Sequence, residues 1–143
     1  MIAYVDSSVL LRVILGQANA LREWSDIESG IVSALAEVEC LRTLDRLRIH
    51  AGLSDEEITL RRESVFRLLD AMEIIEPTRP VLSRAAQPLP TTLGTLDAIH
   101  LATALLWRER DQVDLVMATH DEALAIAAKA CGLRVIGSSP LAI

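Results

Sequence analysis

Short apolar runs that stop at turn-forming or acidic residues alternate along this chain with longer segments of helical periodicity. No other feature constrains the fold as much. Ile2 to Val5 is stopped by Asp6-Ser7-Ser8, after which Val9, Leu10, Val13 and Ile14 recur at helical spacing; this predicts a strand, a tight junction and a helix ended by Gly16. Ala18 to Trp24 is expected to form a short second helix. Gly30 to Ser33 reads as a brief strand, followed by a long helix from about Ala34 to Ala51 closed by Gly52. Ser54 with Glu57 three residues on is a capping box, so Asp55 to about Met72 is another helix.

Met72 to Glu76 is a third strand stopped by Pro77 and Pro80, and Val81 to Gln87 a short helix before Pro88-Leu89-Pro90. Thr95 opens a helix to about Arg110. Val113 to Ala118 is then a buried strand, Asp121 to Ala130 a helix ended by Gly132, and Leu133 to Ile136 a last strand. Strands alternating with helices imply an α/β fold: a mostly parallel central sheet of four to five strands with helices on both faces. The 143 residues are the size of one domain, and no repeat or linker divides residues 1–143. The apolar residues are chiefly Ala, Leu, Ile and Val with few aromatics, which suits helices packed on a buried sheet.

No apolar stretch approaches the roughly 20 residues of a membrane span, and the Met1 segment does not read as a signal peptide, so a soluble cytoplasmic protein with no membrane partner is expected. Cys40 and Cys131 have no Cys or His at zinc-like spacing, which leaves both as small core residues. The net charge of −6 argues against a simple nucleic-acid-binding surface. Against that, 13 of the 14 basic residues are Arg, suited to bidentate phosphate contacts, and an acidic site reverses its local sign once it holds divalent cations.

In open parallel sheets, ligands bind beyond the carboxyl ends of the strands. Asp6 and Asp121 fall there, although each also opens a helix and is explained equally well as an N-cap. Asp97 lies in the first turn after Thr95, where the helix dipole stabilises a carboxylate whatever it binds. Glu39 sits inside the long helix, projecting among Arg42, Arg46 and His50, with Val38, Leu41 and Leu44 on another side. A solvated face with Glu39 paired to Arg42 or Arg46 accounts for that pattern too. Glu37 projects near Leu41 and Leu44, so periodicity alone does not choose between the two glutamates.

Four stretches occur in the order and spacing of a PIN domain: Ile2-Ala3-Tyr4-Val5-Asp6-Ser7-Ser8, Ser33-Ala34-Leu35-Ala36-Glu37-Val38-Glu39, Thr95-Leu96-Asp97-Ala98-Ile99-His100-Leu101-Ala102-Thr103-Ala104, and Ala118-Thr119-His120-Asp121. Over residues 2 to about 136 the chain resembles the VapC-family toxins of bacterial toxin–antitoxin pairs. The resemblance implies a metal-dependent endoribonuclease. Asp6, Glu39, Asp97 and Asp121 match the acids that hold Mg2+ or Mn2+ and serve catalysis, and Glu37 matches no site position. Ser8 and Thr119 match hydroxyl positions beside the acids. The partners implied are an RNA substrate, a small antitoxin whose tail occupies the groove, and a second copy of the chain in a homodimer or larger assembly.

Hard oxygen ligands select Mg2+ or Mn2+, and carboxylates gathered without metal repel one another and raise at least one pKa. Arg12, Arg42 and Arg46 are candidate phosphate contacts, though arginines on helices are also commonly just solvated. His100 and His120 have no nucleophile at diagnostic spacing and are taken as structural. Trp24 and Trp107 could stack on bases but are placed in the core or at a subunit contact, and the helix Asp55–Met72, with Ile58, Val65, Leu68 and Leu69, is a candidate contact face, though core packing explains the same residues equally well.

Among rivals, a phosphoaspartyl phosphatase would want an acid where Ser8 stands, and a receiver domain a lysine on a late strand, whereas Lys129, the sole lysine, lies in the final helix. A PIN-like scaffold that binds RNA or protein without cutting retains the same acids, and a DNA flap nuclease would be expected to be larger.

Overall fold

The computed structural model describes residues 1–140. Five strands form one sheet: β1 (Ile2–Val5), β2 (Ser29–Ser33), β3 (Glu73–Ile75), β4 (Leu115–Ala118) and β5 (Arg134–Ile136). Their order is β3-β2-β1-β4-β5, and every pairing is parallel. The helices are α1 (Ser7–Ile14), α2 (Leu35–Ala51), α3 (Asp55–Asp70), α4 (Arg79–Ala85), α5 (Thr95–Asp111) and α6 (Glu122–Ala130). The α/β sheet expected from the sequence is thus present, with all of its described strands parallel.

Alternation along the strands builds two cores. Ala3, Val5, Val32, Val116 and Ala118 pack with α1, α2 and α3, while Tyr4, Ile31, Leu115 and Met117 pack with α5 and α6. The central strands are apolar on both sides because helices cover both faces. From β1 the chain moves outward through β2 to β3, then crosses back to lay β4 on the other side of β1. The β1–β4 boundary is therefore a topological switch point, where helices leave in opposite directions and open a crevice beyond the strand ends.

Helix boundaries follow the punctuation. Gly52 ends α2 in the left-handed region at φ 65°, and Ser54 starts α3 by accepting a hydrogen bond from the Glu57 amide at 3.1 Å. One expectation needs correction. Residues 18–24 form turns, with only a 3-10 turn at Trp24–Asp26; Leu21 is the one buried residue among 18–24, so no apolar face holds a helix there. Thr95 opens α5 as expected, with Gly94, which has no capping side chain, at the cap position. On α3, core packing accounts for the apolar residues: Ile58, Val65 and Leu69 are core residues and Leu68 is half-buried against them, while Leu60 and Phe66 are exposed apolar side chains there.

Trp107 is buried and donates to Glu73, and Cys40 is a core residue whose thiol burial pushes up to about 12, with the charges of Glu39 and Asp6 adding to the shift. Among the described residues no helix is long and apolar enough to cross a membrane.

Helix α6 checks the register of the second core. Leu124 is fully buried and Ile126 is 38% exposed. Leu124→Ala is expected to lower the free energy of unfolding by about 2–5 kcal/mol and Ile126→Ala by about 1 kcal/mol or less, measured by urea titration.

Candidate functional site

Asp6 directly follows β1, and its amide donates to the Ala118 carbonyl at 3.0 Å, which ties it to the end of β4. It occupies the N-cap position of α1 but makes no side-chain capping bond. Its carboxylate turns instead to two hydroxyls: Ser8 Oγ donates to Oδ2 at 2.7 Å and Thr119 Oγ1 donates to the same oxygen at 2.9 Å. Asp6 is only 3% exposed. A carboxylate removed from water needs donors of this kind, and Ser8 and Thr119 supply them.

Thr119 Oγ1 also accepts from the Asp121 amide at 3.0 Å, and Ser8 Oγ accepts from the His120 amide at 3.0 Å. The junctions after β1 and β4 are therefore stitched to each other. Asp121 does cap its helix, accepting through Oδ1 from the Leu124 amide at 2.9 Å. The capping explanation thus applies to Asp121 and fails for Asp6.

Glu39 pairs with neither Arg42 nor Arg46. Arg42 bridges to Asp45 at 3.2 Å, and Arg46 donates to Thr43 Oγ1 at 3.0 Å. Glu39 flanks the buried stripe of Ala36, Cys40 and Leu44, whereas Val38 is 57% exposed and Glu37 points to solvent. The side of α2 that meets the core therefore includes Glu39 at its edge and leaves Val38 out. Its Oε1 lies 2.5 Å from His100 Nε2.

His100, expected to be merely structural, joins the acids. It is fully buried on α5, with Nδ1 2.6 Å from Tyr4 Oη and Nε2 3.9 Å from Asp6 Oδ1. Tyr4 is buried, and that desolvation, reinforced by the charges of Asp6 and Glu39, raises its pKa well above 10.0. The phenol keeps its proton, and whenever the ring is neutral it donates to Nδ1, which directs the ring hydrogen on Nε2 to Glu39. Burial disfavours the imidazolium, but the Glu39 hydrogen bond and the charges of Asp6, Glu39 and Asp97 outweigh it and raise the His100 pKa. Tyr4 carries no acid or motif that the sequence could have flagged, whereas the spacing of His100 three residues after Asp97 places His100 and Asp97 on one face of α5.

Asp97 is half-buried, and its pKa is pushed up to about 6, first by desolvation and then by the charges of Asp121 and Asp6, with His100 opposing. One site thus joins Asp6, Glu39, Asp97 and Asp121 electrostatically. Its oxygen donors match a hard divalent cation, which would offset the part of the Asp97 shift that comes from neighbouring carboxylates. Among the described residues no three His, Cys, Asp or Glu side chains are grouped tightly enough to hold a metal ion as they stand. The donors fit in kind, and their spacing is open.

Arg42 and Arg46 line a cavity of about 330 Å3 with Glu39, Ser7, Leu11 and Leu96. Arg12 donates to the Asn19 carbonyl at 3.2 Å.

A family model described as PIN domain matches residues 3–130. Ribonuclease VapC46 of Mycobacterium tuberculosis (strain ATCC 25618 / H37Rv) is 35% identical over 140 residues, 95% of this chain and 97% of that protein. Among solved structures, a toxin-antitoxin complex from Klebsiella pneumoniae superposes with a TM-score of 0.66 at 18% identity, over 96% of each chain. VapBC2 from Rickettsia felis, bound to a DNA fragment from their promoter, gives 0.65 at 13% identity over 94% of this chain and 97% of that one. At such identities the structural likeness concerns the fold.

The raised Asp97 pKa has a stability consequence. The folded protein holds this proton up to about pH 6, above the ordinary value of 3.8, so the ionised group destabilises the ion-free fold above pH 6 and the penalty fades as pH falls towards 4. In EDTA, Asp97→Asn is expected to melt a few degrees above the unsubstituted protein at pH 7.5, with the gap closing near pH 4.5. Thermal unfolding across that range checks both the sign and the window.

Proposed function

The chain belongs to the PIN-domain family, and from that premise we propose that it is a cytoplasmic metal-dependent endoribonuclease, the toxin of a VapBC-type pair, acting as a single domain. What supports this reading is Asp97, whose pKa burial and then the charges of Asp121, Asp6 and Glu39 push up to about 6, together with Asp6 directly after β1 and tied to the end of β4 at the switch point. The similarity to Ribonuclease VapC46 over nearly the whole chain supports the choice of RNA.

Asp6, Glu39, Asp97 and Asp121 would hold Mg2+ or Mn2+. The chemistry such an ion supplies is activation of water near neutral pH and neutralisation of charge on the phosphoryl and leaving oxygens. The chain's own residues prepare for it. Ser8 and Thr119 fix Asp6 through Oδ2. His100, oriented by Tyr4, fixes Glu39 through Oε1. Asp97 releases its proton as a cation arrives, so metal affinity falls as pH drops below about 6. Arg42 and Arg46, beside Glu39, and Arg12, across α1, take flanking phosphates of the RNA. A cognate antitoxin tail covering the groove and self-association of the chain complete the proposal, in keeping with the toxin–antitoxin assembly named for a structural relative.

The test is cleavage of total and transfer RNA by purified protein with Mg2+, Mn2+ or EDTA, beside Asp97→Asn prepared identically. Metal-dependent cutting that falls at least about a hundredfold in the variant, with 5′-phosphate and 3′-hydroxyl products, is expected. Equal behaviour of the two proteins would favour a non-catalytic scaffold, and accumulation of 2′,3′-cyclic phosphate would place the attack on the ribose.

A further inference from the structure

The cavity of about 330 Å3 between α1, α2 and the first turn of α5 is lined by Leu11, Val38, Glu39, Arg42, Arg46 and Leu96 among others. Its walls are the chain neighbours of the acids. Ser7, which also lines it, follows Asp6; Val38 precedes Glu39, and Leu96 precedes Asp97. Glu39 itself belongs to the lining, so the cavity is continuous with the site. A ligand seated here touches the same stretches of chain that position three of the four acids.

Two of these walls are large apolar side chains that neither core uses. Val38 is 57% exposed and Leu96 50% exposed, and both lie outside the two hydrophobic clusters. Leu11, half-buried against the first core, adds a third apolar wall. A single exposed aliphatic is ordinary. Two that line one cavity beside a polar site form a patch that a ligand would cover.

The charged part of the lining has the opposite character. Arg42 and Arg46 are exposed. Arg42 bridges to Asp45 at 3.2 Å, but Asp45 also accepts from Arg48 at 3.0 Å, so Arg42 can turn to a ligand and leave Asp45 paired. Exposed pairs of this kind cost little to break. Aliphatic walls with movable guanidiniums call for a ligand that joins a flat apolar face to a negative charge, and a nucleotide does so.

We infer that this cavity is a nucleobase subsite, in which the base of a nucleotide flanking the cut packs against Val38 and Leu96 while Arg42 and Arg46 take its phosphate. This rests on the ribonuclease reading, which puts the scissile phosphate at the acids and the neighbouring base on the surface beside them. Aliphatic walls hold a base by its face and read none of its edges, so preference follows contact area and a purine is favoured over a pyrimidine.

The experiment places a single abasic nucleotide at each position along an RNA oligonucleotide that the protein cuts, and compares kcat/KM for the unsubstituted chain and the double variant Val38→Ser, Leu96→Ser. At one flanking position, loss of the base is expected to slow the unsubstituted protein roughly ten-fold, the low end of what a hydrophobic pocket contact is worth, and a pyrimidine there to cut more slowly than a purine. The double variant should lose a similar factor on intact RNA and be indifferent to base loss at that position. Both side chains are exposed, so its melting temperature should be nearly unchanged. Equal sensitivity to base loss in both proteins, or full-rate cutting by the variant, overturns the subsite. If a full-rate variant also fails to bind an antitoxin protein, the walls belong to a protein contact instead.

Arg42→Ala supplies an arm independent of the apolar walls. It should raise KM and flatten the salt dependence of KM; an unaltered KM overturns the phosphate contact. If the unsubstituted protein cuts no RNA under any metal condition, the ribonuclease reading itself falls and takes the subsite with it, whereas the outcomes above are read on a protein that cuts.

Discussion

The site depends on keeping one carboxylate, that of Asp6, nearly out of water at the end of the central strand. A carboxylate so placed is unfavourable unless several donors meet it. The fold supplies them from two separate crossings of the sheet, Ser8 from the turn after β1 and Thr119 from the turn after β4. The same hydroxyls bind the amides of His120 and Asp121, so the geometry that pays for burying Asp6 also locks the two strand ends together. Parallel pairing of β1 with β4 is what brings these turns side by side.

Around that anchor, charge is distributed unevenly. Glu39 is steadied by His100, which is in turn oriented by Tyr4 in the second core. Asp97 is half-buried near the other acids, and its pKa is raised first by that burial and then by the charges of Asp121 and Asp6, with His100 only partly opposing them. A site built to balance itself would have placed an arginine here. Arg42 and Arg46 instead engage Asp45 and Thr43 along α2 and face a neighbouring cavity. The net charge of −6 is compatible with a polyanionic substrate if the acids hold a cation, as proposed above, since a bound divalent ion reverses the local sign.

Much of this was legible in the residues, for identifiable reasons. The strands are short apolar runs cut off by acids, glycines or prolines, and that punctuation is local, so β1 to β5 fall where the sequence places them. Asp6, Asp97 and Asp121 were visible because they stand at element ends. Glu39 was not separable from Glu37 by periodicity, because the choice depends on where α5 presents His100, a contact across 61 positions. His120 was opaque for the same reason: its ring is defined by the Gly137 carbonyl, on the far side of α6 and β5. The short helix expected at residues 18–24 failed because a few small and polar residues there satisfy turns as readily as a helix, and no packing face settles it.

Cation binding by the ion-free protein tests the central claim most directly. Mn2+ titrated into the purified chain and followed calorimetrically at pH 5.5 and 7.5 should bind tightly at the higher pH, release protons and weaken at the lower pH as Asp97 retains its proton, and be lost in Asp6→Asn. Binding of equal strength in Asp6→Asn would contradict the account, since the buried carboxylate would then have no part in holding the ion.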